Sequence, residues 1–253
     1  MIKRITECWI CEDTATSGEH RIKHSDLKKQ YPMISQAHPL YHRRNGVKQQ
    51  QYIGSLKSNH LKFDALLCAK CNNERTQVFD LAWEKLSNYL QDNWDEILKL
   101  NQIDLYNIFP DNTLENMINV QLFFTKIFGC YIKETDALVP ISSFSESLLN
   151  KSEHPNIYFS FRKSEMKTIG NYTGLSNIEI YHEKDNHENI YYAHMFYTLN
   201  KITVDLIYAP NTANLELNGA IKPSQIMDTR IALSKLDYKD SLPDYIQSLL
   251  END

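Results

Sequence analysis

Two Cys-x-x-Cys pairs, Cys8-Trp9-Ile10-Cys11 and Cys68-Ala69-Lys70-Cys71, constrain this chain more than any other feature, because together they tie two distant segments to one point. A turn with two intervening residues aims both sulfurs at the same position, and four thiolates fill a closed tetrahedral site for structural zinc. The pairs are separated by 56 residues, so an insertion of substantial size has to fold between the two knuckles. The remaining cysteine, Cys130, falls in an apolar helical stretch and reads as core. Cysteines in metal-ligand register suit a reducing compartment better than disulfide pairing does.

Charge divides the chain as sharply as the cysteines join it. The net charge is −5, yet residues 1–76 hold thirteen Lys/Arg against seven Asp/Glu, which leaves the remainder strongly acidic. A positive lobe can attract phosphates while an acidic remainder limits indiscriminate coating of a polyanion. With 253 residues, 42% of them apolar, a large buried core is within reach. The opening Met1-Ile2-Lys3-Arg4-Ile5-Thr6-Glu7 lacks the apolar stretch of a signal peptide, and no window approaches a membrane span. The expectation is a soluble, cytoplasmic protein with no membrane partner.

Periodicity supplies the elements. Residues 21–62 are basic and histidine-rich, a loop or ribbon in which Asn45-Gly46 offers a hairpin turn. Residues 61–67 form a strand leading into the second knuckle. Phe79, Trp83, Leu86, Leu90, Trp94 and Leu98 recur at helical steps, predicting over about 74–100 either one amphipathic helix or a pair broken near Asn93. A second helix over about 113–133 has Thr113 as its cap and Glu115 in its first turn. After Pro155 the texture turns β-branched and aromatic, predicting strands at 157–161, 178–181, 190–199 and 202–208. Asn200-Lys201 pairs the last two as an antiparallel hairpin, and a short helix over 242–250 closes the chain. The fold class is α+β: a zinc-stapled lobe (1–80), a helical connector (81–150) and a mainly antiparallel β domain with helices (151–253).

Glu19-His20, between the knuckles, places a carboxylate beside an imidazole, the groups that phosphodiester hydrolysis needs for a cation and for activating water. On a strand the two point to opposite faces, so a bend has to turn both toward one phosphate. Cys8-x-x-Cys11, Glu19-His20 and Leu66-Leu67-Cys68-Ala69-Lys70-Cys71-Asn72-Asn73-Glu74-Arg75 together resemble the HNH, or ββα-metal, endonucleases, in the subgroup whose two Cys pairs bind zinc around the active site. The resemblance covers residues 5–80 and is silent on the rest. It implies an N-terminal ββα-metal lobe with His20 as general base. Glu19, in place of the commoner Asp, and Asn73 would hold a catalytic Mg²⁺ or Mn²⁺, with Asn72 as the neighbouring alternative. The middle Asn of the family falls near Asp64, or at Asn59. Arg43, Arg44, Lys48 and Arg75 are natural phosphate contacts, while His24, His38, His42 and His60 read as surface or nucleic-acid contacts rather than ligands.

The function so implied is a metal-dependent endonuclease acting on DNA. An HNH lobe fused to an unfamiliar domain is also similar to effectors of bacterial anti-phage or restriction systems, so a regulatory protein partner and a homodimer enter as expectations. The alternative is a non-catalytic zinc-ribbon protein that binds nucleic acid, or acts as an adaptor, on the same frame.

Overall fold

The computed structural model describes residues 7–42, 51–163, 173–183, 186–210, 217 and 219–234. After the first knuckle the chain forms β1 (Ser17–His20), then α1 (His24–Gln30) and a two-stranded antiparallel ribbon of β2 (Leu40–His42) and β3 (Gln51–Ile53). It returns along β4 (Lys62–Leu67), antiparallel to β1, with Ser17 opposite Leu67 and Gly18 opposite Leu66. Alternation along β4 sends Phe63, Ala65 and Leu67 into the core. A wide π-helical turn, Lys70–Arg75, carries the second knuckle into α2 (Gln77–Leu100). Two antiparallel strands and a helix thus frame the cysteines, with α1 and the ribbon as the insertion between the strands. The expected Asn45-Gly46 turn lies outside the described residues.

Of the two alternatives for α2, the structure takes the break near Asn93. Asn93 leaves helical geometry at φ −117°, ψ 16°, and its Nδ2 donates to the Tyr89 carbonyl at 2.9 Å. A short amide side chain that competes for main-chain carbonyls weakens a helix at such a point. β5 (Gln102–Asp104) follows, then α3 (Thr113–Thr135) and α4 (Ser142–Asn150). α3 is buried on all sides from Val120 to Ile132 and forms the central pillar. Thr113 is not its cap: Asn112 occupies that position at φ 55°, and the Thr113 hydroxyl instead donates to the Phe109 carbonyl at 2.6 Å. Asn tolerates left-handed backbone and β-branched Thr does not, which decides the order of the two residues.

The C-terminal half is a five-stranded antiparallel sheet. β6 (Ile157–Lys163), β7 (Thr173–Leu175), β8 (Glu179–Glu183), β9 (Asn186–Leu199) and β10 (Ile202–Tyr208) assemble in the order β6-β10-β9-β7, with β8 also on β9. The predicted hairpin joins β9 to β10 through Asn200 at φ 52°. A late strand, β11 (Arg230–Ala232), returns to pair with β5. The helix expected over 242–250 lies outside the described residues.

One apolar cluster runs from Cys8 to Leu233 and takes in all three segments expected from sequence. At its centre Trp83 of α2, Phe123 and Phe124 of α3 and Tyr197 of β9 meet ring to ring, with centroids 4.6–6.1 Å apart. Asp26 of α1 is buried against them and accepts from Trp83 Nε1 (2.8 Å), Ser87 Oγ (2.7 Å) and Tyr197 OH (2.8 Å). The N-terminal insertion is thereby bonded to both later segments. No described helix is long and apolar enough to cross a membrane.

Candidate metal centre and the Glu19–His20 strand

The first knuckle is a tight turn, closed by Cys8 N–H to the Asp13 carbonyl and Glu12 N–H to the Cys8 carbonyl, both at 2.7 Å. In the second, the Cys71 amide donates to Cys68 Sγ at 3.3 Å, and the Asn72 amide to the Cys68 carbonyl at 3.0 Å. The Sγ atoms of Cys8, Cys11, Cys68 and Cys71 lie within 4.8 Å of one another. Cys11 Sγ is 3.5 Å from that of Cys68 and 3.4 Å from that of Cys71. A tetrahedron with zinc–sulfur bonds of about 2.3 Å has edges of about 3.8 Å, so the four thiols are set to hold one such ion with little adjustment. An all-sulfur donor set suits zinc and leaves no open coordination position, which marks a structural site.

Arg75, expected as a phosphate contact, lies at this centre. Its Nη1 donates to Cys71 Sγ at 2.9 Å. Four thiolates around a divalent ion leave two excess negative charges, and a guanidinium one helical turn beyond the ligand offsets part of them.

Glu19 and His20 part company on β1. Glu19 points inward, only 7% exposed, with Oε2 3.3 Å from Nζ of Lys126, a residue of α3 that is fully buried. Lys126 Nζ also reaches Asp80 Oδ1 at 2.8 Å and Thr76 Oγ1 at 3.3 Å, while Lys23 lies 3.4 Å from Asp80. Burial pushes the Glu19 carboxyl above its ordinary range, and the Lys126 ammonium opposes that shift. The bend that catalysis would need is present, since the β1–β4 register shifts between Gly18 and His20, yet it leaves the Glu19 carboxylate inside.

His20 lies on the other side, half-buried, with Nε2 3.1 Å from the Leu56 carbonyl and its ring edge-on to His24 at 5.7 Å. A carbonyl only accepts, so Nε2 carries the hydrogen and Nδ1 keeps its lone pair. Burial lowers the His20 pKa, and the Lys62, His24 and Lys23 charges add to that. The imidazole is thus a neutral, oriented base.

Of the remaining candidates, Asn73 is exposed on the π-helical turn. Asn72 donates from Nδ2 to Ser17 Oγ at 2.5 Å, pinning the second knuckle to the start of β1, and its Oδ1 is buried without a hydrogen-bond partner. Asp64 is exposed on β4, and Asn59 is exposed in a short 3-10 turn. The His20 ring is held by a main-chain carbonyl, that of Leu56. Arg43, Arg44 and Lys48 lie outside the described residues. Among the described residues, the four cysteines are the one group of three or more Cys, His, Asp and Glu side chains close enough to share an ion. Lys126 escaped sequence reasoning, although a lysine inside Phe123-Phe124-Thr125-Lys126-Ile127-Phe128 signals a buried cation in need of a carboxylate. Compared with protein-family models, curated proteins and solved structures, the chain has no significant match.

Proposed function

We propose that this chain is a zinc-stabilised nucleic-acid-binding protein, in which a strand–strand–helix unit of HNH type serves as a binding frame and not as a hydrolytic centre. The observation that carries the reading is the separation of Glu19 from His20. The carboxylate that would hold a catalytic cation is engaged by buried Lys126, while the imidazole faces the opposite side. The zinc centre holds β4, the π-helical turn and the first knuckle together, and the basic composition of residues 1–76 supplies an attraction for phosphates.

A second reading, the metal-dependent DNA endonuclease, draws support from His20 itself. Its held ring and lowered pKa are what a general base requires. In that reading Glu19 would leave Lys126 and join Asn73 on a Mg²⁺ or Mn²⁺ ion, and a regulatory partner, as in an anti-phage or restriction effector, would drive the change.

Both readings are tested on the full chain. Metal analysis comes first, with one zinc per chain expected and Cys71→Ser expected to lose it. Binding of labelled DNA and plasmid conversion with Mg²⁺ or Mn²⁺ are then measured for wild type and His20→Ala. The first reading expects salt-sensitive binding by both proteins and no conversion. Conversion by the wild type alone would establish the endonuclease. A zinc-replete protein that leaves DNA unbound would overturn the nucleic-acid reading.

A further inference from the structure

The β2–β3 ribbon buries one face and leaves the other in water. Leu40 and Ile53 form its inward pair, with Ile53 fully enclosed in the core. The next register pair, Tyr41 and Tyr52, stands outward at 65% and 68% exposure, the two rings meeting edge to face with centroids 5.1 Å apart. A ribbon that only had to cover Ile53 could carry Thr or Lys at these positions, the usual solvent-face residues of a short edge. Two adjacent tyrosines instead hold a broad aromatic surface in water, with few rotatable bonds to freeze when something stacks on it.

The charge around the ribbon names the kind of partner. Residues 21–62 contain nine Lys/Arg and a single acid, Asp26. That acid is buried and occupied by Trp83, Ser87 and Tyr197, so it contributes no surface carboxylate. Arg21, Lys23 and Lys29 are paired with Glu134, Asp80 and Asp92, whereas Lys28, Lys57 and Lys62 make no ion pair among the described residues. An aromatic pair carried on a segment whose sequence has this excess of cations matches a polyanion that carries flat apolar groups. Four residues beyond Tyr52 the chain reaches Leu56, whose carbonyl holds the His20 ring.

We propose that Tyr41 and Tyr52 form a stacking platform for the bases of an unpaired nucleic-acid strand. The proposal rests on the nucleic-acid-binding reading above and specifies its substrate class. In a duplex the base faces are already stacked on one another, and phosphate contacts favour its denser charge, so a preference for one strand has to come from the bases. Exposed rings gain only from bases that are free to leave the stack, and base–aromatic stacking is tolerant of sequence because every base has a π-face.

The test uses the full zinc-loaded chain and a labelled single strand of mixed sequence, alone and annealed to its complement, with affinity read by fluorescence anisotropy across a salt series. Wild type is expected to bind the single strand more tightly than the duplex. Tyr41→Ala/Tyr52→Ala should weaken single-strand binding by roughly tenfold or more, with little effect on the duplex and an unchanged salt slope, because no phosphate contact is removed. Tyr41→Phe/Tyr52→Phe should retain affinity, since stacking needs the ring and not the hydroxyl. Equal wild-type affinity for both forms, with the alanine pair harmless, would overturn the platform and leave nucleic-acid binding standing. Binding to neither form would overturn both.

Discussion

At the scale of single residues, the behaviour of β1 turns on Lys126. A fully buried ammonium is tolerable only because Glu19 and Asp80 lie against it, and burial of the Glu19 carboxylate is tolerable only because of the ammonium. Lys126→Met should therefore cost roughly 3–5 kcal/mol, because it leaves the Glu19 carboxylate buried without its cation, while Asp80 keeps Lys23. The cost should shrink in a Glu19→Gln/Lys126→Met pair, which removes both ends of one contact. Urea midpoints of the three proteins measure this, and a single variant as stable as wild type would show that the network does not hold β1. The sequence displayed Glu19-His20 and its bracketing cysteines, and alternation on a strand already separated the two side chains. What it could not display was that Glu19 has a partner on α3. Pairings between distant segments leave no local pattern, whereas Cys-x-x-Cys does, and for that reason the zinc ligands were legible and the surroundings of Glu19 were not.

At the scale of elements, the zinc centre is fastened to the rest of the molecule by close contact between the first knuckle and α3. Trp9, between two ligands of the metal, lies on Gly129, where an added Cβ would stand 2.6 Å from Trp9 Cζ2 and 2.8 Å from Cζ3. The obstacle is a rigid ring wedged between knuckle and helix, so it cannot swing aside as a flexible side-chain end would. Gly129→Ala gains about 1 kcal/mol of helix propensity, but overpacking of this kind costs about 1–3 kcal/mol, and the net is expected to be a loss. It should be accompanied by faster zinc release to a chelator, since Cys8 and Cys11 move with Trp9. A variant with raised stability and unchanged release would mean the knuckle is not docked through this contact. Apolar periodicity set the span of α3 to within two residues, because it depends on one face meeting a core. The glycine inside it reads as a blemish in that pattern until the tryptophan it admits is seen.

For the whole molecule, the sequence suggested three consecutive segments, and the two long helices α2 and α3 and the strands β4, β6, β8, β9 and β10 were legible from their periods, whereas α1, α4 and the shortest strands were not. The large core that joins them was not. Its joints are polar side chains reaching between segments, such as Asp26 to Tyr197 and Gln121 of α3 to the backbone of His154 and Ile157. His154 occupies such a joint, where the helices hand over to the sheet. Its Nδ1 accepts from the Asn156 amide at 3.1 Å, so Nε2 carries the hydrogen toward Ser143 Oγ, also at 3.1 Å. Burial lowers its pKa from 6.5 to about 4. Between those values the unfolded chain binds a proton that the folded chain refuses, so folding stability falls as pH drops through 6.5 and the loss is complete below about 4. At about 1.4 kcal/mol per pH unit the full effect is worth about 3 kcal/mol. Acid also protonates zinc-bound thiolates and so destabilises the metal centre over part of the same range. The two causes separate in a comparison with His154→Gln, which retains the metal site and lacks the titration. Urea midpoints followed from pH 7 to pH 4 should fall less steeply for the variant, with wild type losing about 3 kcal/mol more. Parallel curves would assign the acid sensitivity to the zinc centre alone and return His154 to a purely packing role.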